Sequence, residues 1–222
     1  GYFRSDLGSP YWNLDHQADD SNPNITLGED TPNGYHSAYF SHVLSTKYYV
    51  EFNFKITKQL SAWVWQGVGL GSGLSETDTR YFLFSPRVDG QGNNFNKTIV
   101  KDLPNESWPA ITTRSQVWGE NGLNYINWDN NKVKLAMVRN GNEHYWLIND
   151  KVMWYDYSTK YEDVATMPIL CGIDVACTIS DYKVETDSAK IDAMLNKNDF
   201  KKSFFACNQD IITYKDDSSF SF

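Results

Sequence analysis

Apolar and polar residues alternate along much of the chain, and the clearest run covers residues 47–57. Successive side chains of a β-strand point to opposite faces, so this alternation predicts a strand with one buried and one wet face. The apolar positions of the run are Val50, Phe52, Phe54 and Ile56, and the positions between them are Tyr49, Glu51, Asn53 and Lys55.

Similar short runs recur throughout the sequence, with turn residues between them. Asn140-Gly141 and Asn149-Asp150 predict two tight hairpin turns, and residues 187–196 are the one helix candidate. About a dozen short strands without a strand–helix alternation predict an antiparallel all-β fold. The predicted strands are 11–13, 24–27, 35–44, 47–57, 62–70, 80–84, 97–100, 116–118, 132–139, 143–148, 151–155, 169–172 and 176–184.

The composition of the chain limits the classes of ligand that it is expected to bind. The 222 residues suit one β-sandwich domain, and they include eight Trp, 14 Tyr and 12 Phe. A net charge of -8 argues against nucleic acid and other polyanions as ligands. No run approaches the 18 apolar residues of a membrane span, so membrane insertion is not expected. The first residue is Gly1, not Met, and we interpret the chain as a piece of a longer, multidomain protein.

Three cysteines, Cys171, Cys177 and Cys207, leave at least one thiol unpaired. One interpretation is buried thiols, and the alternative is a bridge from Cys207 to Cys171 or Cys177. The cysteines form no pair with zinc-ligand spacing, which argues against a structural zinc site.

Two segments resemble a known family. Residues 133–156 (VKLAMVRNGNEHYWLINDKVMWYD) are similar to a signature hairpin of concanavalin A-like (laminin G-like) lectin and carbohydrate-binding domains. Residues 166–187 (TMPILCGIDVACTISDYKVETD) are similar to the final strands of the same family. The resemblance covers about residues 35–185. It implies a jelly roll of two antiparallel sheets, forming one domain over residues 1–222 with a loop-rich start and a helix and tail packed on the core. The fold hosts lectins, hydrolases, lyases and adhesion domains, so it does not fix the function.

Catalysis by a hydrolase of this fold needs acidic residues at alternate strand positions, which brings two carboxylates to one face. Glu51 is followed at those positions by Asn53 and Lys55, so it stands alone. Glu143-His144-Tyr145 contains residue types that lyases of this fold use, without the surrounding motifs. We therefore expect a protein that is not an enzyme.

Neutral sugars are bound by aromatic rings that stack on pyranose faces, with amides and carboxylates as hydrogen-bonding partners. Trp63 and Trp65 alternate and share one face of their predicted strand. They form either a ligand platform or part of the core. Glycines at 67, 69, 71 and 73 could open a groove beside them, or mark bulges.

A second set of candidates lies in the polar stretch 85–131. Its tryptophans either bind ligand or pack a long loop against the domain. The ligand candidates in this stretch are Trp108, Trp118, Asn127, Trp128 and Asp129. Arg80 is a further candidate, because its fork can hold two vicinal hydroxyls, with a salt bridge as the alternative. Asp89 and Asn93 are weak calcium candidates, and no other cofactor is expected.

The sequence thus predicts a non-catalytic module that binds a neutral polysaccharide, with starch-type α-glucan first, in a secreted or cell-surface protein. Two alternatives stay open. One is a polysaccharide-cleaving glycoside hydrolase or lyase of the same fold. The other is a protein-binding adhesion domain, which would show a flat apolar patch instead of a Trp-lined cleft.

Overall fold

Fourteen strands and one helix make up the described part of the molecule. The computed structural model describes residues 3–4, 12–13, 25–27, 35–40, 43–59, 67–75, 78–85, 97–103, 112–115, 133–173 and 175–198. In chain order the elements are β1 (Phe3–Arg4), β2 (Trp12–Asn13), β3 (Ile25–Leu27), β4 (Tyr35–Phe40), β5 (Lys47–Gln59), β6 (Gly67–Ser75), β7 (Asp78–Ser85), β8 (Lys97–Leu103), β9 (Thr112–Ser115), β10 (Val133–Asn140), β11 (Glu143–Ile148), β12 (Lys151–Tyr157), β13 (Met167–Ile173), β14 (Val175–Glu185) and α1 (Ser188–Asn198).

The strands form two antiparallel sheets of seven. Sheet A has the order β1-β4-β13-β6-β7-β8-β9, and sheet B has the order β12-β11-β10-β5-β14-β3-β2. The chain passes from one sheet to the other at several points, for example between β13 and β14. The predicted all-β sandwich with one short helix near the C-terminus is confirmed. The single-domain assignment stays a prediction, and β1, β2 and β3 add to the sheets ahead of residue 35.

The core lies between the sheets, and β5 supplies its clearest stripe. Val50, Phe52 and Phe54 are buried, whereas Tyr49, Glu51 and Asn53 between them are partly exposed, as the alternation predicted. Across the sandwich, the indole of Trp146 stacks on Phe82 at 5.6 Å and its Nε1–H donates to the Leu70 carbonyl at 2.8 Å. A large aromatic residue thus joins both sheets through packing and a hydrogen bond.

Both predicted hairpin turns are present. Gly141 has φ +62°, and it is the first turn residue between Asn140 and Glu143. The turn is therefore centred one residue later than Asn140-Gly141 suggested. Asn149 and Asp150 both have positive φ, at 48° and 68°, as a type I′ turn requires.

The helix begins where a capping residue stands. The Asp187 carboxylate accepts a hydrogen bond from the Lys190 amide at 2.9 Å, which satisfies one of the first helical N–H groups. Ile191 is fully buried against the core cluster. The helix therefore matches the predicted 187–196 closely. Within the described residues, no helix has the length and apolar character needed to cross a bilayer.

Several predicted strand bounds differ from those of the structure, and β4 ends at Phe40 instead of residue 44. β5 runs on to Gln59, because it pairs there with Val175 of β14. β6 begins at Gly67, and the rest of the predicted strand, 62–66, lies outside the described residues. The predicted strand 116–118 also lies outside them, whereas β9 stands just before it, paired with β8.

The structure describes the side chain of one of the three cysteines. Cys177 is a thiol buried in the core, which agrees with the first of the two interpretations. The side chain of Cys171 and all of Cys207 lie outside the described residues, so their state stays a prediction.

Candidate functional site

The strand ends divide the sandwich into two ends of different character. Ile173 ends β13 and Val175 begins β14, so a single residue joins the two sheets. Their neighbours in the sheets are Gly67, paired with Ile173, and Gln59, paired with Val175. We call this end the loop end. The opposite end carries Arg139 and the bridge between Ser45 and Thr166, and we call it the Arg139 end.

The candidate-bearing segments are flanked by strand ends at the loop end. Residues 60–66 stand between β5 and β6, residues 86–96 between β7 and β8, and residues 116–132 between β9 and β10. The six flanking residues all belong to the loop end: Gln59, Gly67, Ser85, Lys97, Ser115 and Val133. Sequence positions far apart thus leave and rejoin the sandwich at one end.

Most predicted site residues belong to those segments and lie outside the described residues. Trp108 differs, because its segment stands between Leu103 and Thr112, at the Arg139 end. The residues outside the description are Trp63, Trp65, Trp108, Trp118, Asn127, Trp128 and Asp129, and the calcium candidates Asp89 and Asn93.

A tight turn and a lysine form a fixed polar rim at the loop end. The Asn149 side-chain oxygen accepts from the Lys134 amide at 2.9 Å, and the Asn149 amide donates to the Lys134 carbonyl at 2.9 Å. The Lys134 ammonium lies 2.6 Å from the Asp150 carboxylate, and this hydrogen bond raises the pKa of Lys134. Asn149 and Asp150 are exposed, so polar groups on a rigid turn face solvent here.

Arg80 is the one predicted ligand residue that the structure describes, and it forms a buried ion pair. Its Nε donates to Asp156 Oδ2 at 2.5 Å and its Nη2 to Oδ1 at 3.0 Å. The arginine is 5% exposed and the aspartate 8%. The fork that could have held a vicinal diol instead holds a carboxylate, so the salt-bridge alternative is correct and Arg80 joins β7 to β12.

A serine and a histidine meet on the inner faces of the sheets, and the histidine lies in register with Asp156 of this pair. His144 Nε2 lies 2.9 Å from Ser72 Oγ, which also contacts the Tyr48 hydroxyl at 2.5 Å. Burial lowers the pKa of His144 to about 3, so the imidazole is neutral. If Ser72 were a nucleophile and His144 its base, they would need both this contact and access to a substrate. Ser72 is fully buried, and Asp156 is bound to Arg80, so the three residues hold the sheets together.

Arg139 occupies the same end without a carboxylate partner among the described residues. Its guanidinium donates to the carbonyls of Gly141 at 3.0 Å, Ser45 at 3.2 Å and Tyr161 at 2.9 Å, and to the Thr166 hydroxyl at 2.5 Å. It is fully buried, and desolvation lowers its pKa. One side chain thus ties together the start of β5, a hairpin turn and the 158–166 connection.

Two tyrosines and one glutamate form a cluster on the outer face of sheet B. Tyr155 donates to Glu143 Oε1 at 2.6 Å, and the Tyr145 hydroxyl lies 3.5 Å from Oε2. Burial, the largest cause, raises the pKa of both tyrosines. Glu143 therefore accepts hydrogen bonds from two neutral phenols, and we assign it a structural role.

Two glycines of β6, Gly71 and Gly73, have no open space beside them. A Cβ at Gly71 would lie 2.1 Å from the Arg80 carbonyl and 2.6 Å from the Tyr81 Cα. A Cβ at Gly73 would lie 2.5 Å from the Asp78 carbonyl. Gly71 and Gly73 are required for the close approach of β7, and the register shift between Gly73 and Ser75 agrees with the bulge interpretation rather than with the groove.

Sequence reasoning missed the polar cluster between the sheets. Alternation on β11 places His144 on the same face as Trp146 and Ile148, so an inward histidine could have been read from the sequence. Its partners Ser72 and Asp156 come from other strands, and no local pattern connects them. Among the described residues, no group of three or more His, Cys, Asp or Glu is arranged to hold a metal ion.

Comparison with solved structures identifies the fold. The carbohydrate-binding module CBM66 from Bacillus subtilis superposes with a TM-score of 0.50 at 12% identity, covering 83% of this chain and 95% of the module. The Ca²⁺-bound exoplasmic/lumenal domain of VIP36 gives a TM-score of 0.48 at 10% identity, over 79% and 92%. CG-16, a homodimeric agglutinin from chicken liver, gives 0.43 at 11%, over 68% and 100%.

No family model and no curated protein matches the sequence. At 12% identity the likeness to the module concerns the fold alone. The fold is the concanavalin A-like β-sandwich, as the resemblance of residues 133–156 and 166–187 predicted.

Proposed function

We propose that the chain is a non-catalytic carbohydrate-binding module that recognises a neutral polysaccharide at the loop end of the sandwich. The observation that carries the proposal is the convergence of flanking strand ends. Three segments begin and end there, and two of them hold five aromatic or amide candidates, which are Trp63, Trp65, Trp118, Asn127 and Trp128. Stacking rings and amides are the groups that bind sugars.

The acidic charge supports a neutral ligand. A net charge of -8 disfavours polyanionic glycans by simple repulsion. The rim formed by Asn149 and Asp150 supplies further hydrogen-bonding groups at the same end. The CBM66 module, which has this fold, is by its name a carbohydrate-binding module, and that likeness is compatible with the proposal.

The non-catalytic part of the proposal rests on the described polar residues. The Ser72–His144 contact is sealed between the sheets, and Glu143 is held by two tyrosines. Neither arrangement presents a reactive group to a polymer. We propose a secreted or cell-surface location within a larger protein, and a starch-type α-glucan as the first ligand, because a bowl of Trp and Tyr suits a curved chain.

Affinity electrophoresis tests the proposal. The chain is run through native gels containing starch, xylan, β-glucan or mannan, and reducing-sugar release is read from the same lanes. We expect retardation by one polymer without release of sugar. Release would establish a cleaving enzyme, and migration unchanged by every polymer would favour a protein ligand.

Matched variants locate the site. Trp63→Ala, Trp65→Ala and Trp128→Ala should each reduce retardation if the loop end binds the polymer, and Trp108→Ala is the comparison, because its segment is flanked at the Arg139 end. Equal loss in all four would contradict a site confined to the loop end. Repeating the gels with EDTA tests the calcium candidates Asp89 and Asn93. If calcium orders the site, removal of the metal by EDTA should abolish retardation.

A further inference from the structure

The polar cluster at the Arg139 end places an imidazole where a proton would be costly. His144 is 2% exposed, and its ring stacks on Trp146 at 5.3 Å. Its Nε2 contacts Ser72 Oγ at 2.9 Å, whereas Nδ1 is buried and has no hydrogen-bond partner among the described residues. An imidazolium has two N–H donors, and in this site one of them would be left unsatisfied.

The charges around the ring disfavour a second cation. Asp156 of β12, Arg80 of β7 and Arg139 of β10 are the charged groups that act on His144, and Tyr48 of β5 reaches it through Ser72. Within the described part of the chain, two guanidiniums thus face one carboxylate. A proton on His144 would add a third positive charge in a space from which water is excluded.

The hydrogen bond between His144 and Ser72, which protonation would weaken, joins the two sheets. His144 belongs to β11 of sheet B and Ser72 to β6 of sheet A. The same serine contacts Tyr48, which contacts Thr166 at 3.0 Å and so reaches Arg139. A neutral imidazole therefore completes a chain of hydrogen bonds that crosses the sandwich.

We propose that His144 is an acid-sensitive latch between the two sheets, and that its protonation opens the contact between β11 and β6 at the Arg139 end. Opening exposes the ring, lets water solvate both nitrogens and separates the new charge from Arg80 and Arg139. The latch is closed at neutral pH and opens as the pH falls. It is independent of the ligand that the loop end binds.

Hydrogen exchange tests the latch. Between pH 7.5 and pH 5, a histidine that protonates only when exposed raises the opening constant about 30-fold, taking its ordinary pKa of about 6.5 for the open state. We expect that increase, after correction for intrinsic exchange, in peptides covering β11 and the 158–166 connection. Peptides covering the β3–β14 pairing serve as the internal reference.

His144→Gln removes the titrating group and keeps a side chain that can bond Ser72, and it should abolish the 30-fold increase. His16→Gln removes a histidine elsewhere in the sequence and should leave the increase unchanged. An increase that persists in His144→Gln, or disappears in His16→Gln, would overturn the proposal.

A second measurement on the unmodified chain covers the case in which His144→Gln does not fold. Imidazole NMR signals are followed from pH 8 to pH 4.5. We expect the His144 resonance of the closed state not to titrate, while exchange in β11 rises. A His144 resonance that titrates near pH 6.5 with unchanged exchange would refute the latch.

Discussion

Replacing Asp156 by Asn should strongly destabilise the fold, because it leaves the buried guanidinium of Arg80 without its carboxylate. The pair makes two hydrogen bonds of 2.5 and 3.0 Å, and the side chains are only 6% and 9% exposed. Breaking a buried pair from one side costs about 3–5 kcal/mol. For a chain of this length that is a fall of about 6–20 °C in Tm.

Urea unfolding, followed by Trp fluorescence and by circular dichroism, measures the free energy of unfolding. The double variant Arg80→Met, Asp156→Leu is the first control and should lose much less, because it removes both charges together. Asp192→Asn breaks the exposed pair with Lys47 and should cost less than about 1 kcal/mol. A cost for Asp156→Asn no larger than that of Asp192→Asn would refute the reasoning.

Three further predictions concern the core, the backbone and the helix. Trp146→Phe should cost about 2–3 kcal/mol in urea unfolding, because it leaves a void and deprives the Leu70 carbonyl of its donor; a cost near zero would contradict the buried bond. Gly71→Ala should prevent the pairing of β6 with β7, or cost more than about 3 kcal/mol, because the new Cβ meets the backbone of β7. Gly141→Ala has open space around the new Cβ and should cost only about 1–2 kcal/mol, because of its φ of +62°. The reverse order of costs would disprove the packing argument. Asp187→Ala should cost about 1 kcal/mol and reduce helical ellipticity at 222 nm, and unchanged ellipticity would show that the cap contributes nothing.

The sequence was most informative where a property repeats locally. The face that β5 buries follows from alternation at Val50, Phe52 and Phe54, and the type I′ turn follows from Asn149 and Asp150, since these residues tolerate positive φ. These features depend on neighbours in the chain, so one sequence suffices to predict them.

Long-range pairs could not be read in the same way. Arg80 and Asp156 are 76 residues apart, and they meet only because β7 and β12 lie in sheets that face each other. The glycines of β6 carried two interpretations because the sequence does not tell how closely β7 approaches Gly71. The candidate tryptophans outside the described residues stay predictions for the same reason: their exposure depends on packing.

The hydrogen bonds of Arg139 have a consequence for mutational tolerance. Three of its four acceptors are main-chain carbonyls, at Ser45, Gly141 and Tyr161. A carbonyl is present whatever side chain its residue carries, so a side-chain change at one of these positions does not in itself remove the bond, although the positive φ of Gly141 still disfavours other residues there. In a saturation library selected for folded protein, we therefore expect position 139 to be nearly invariant and position 45 to accept many residues. Arg139 would keep its hydrogen bond to the carbonyl of residue 45 in those variants.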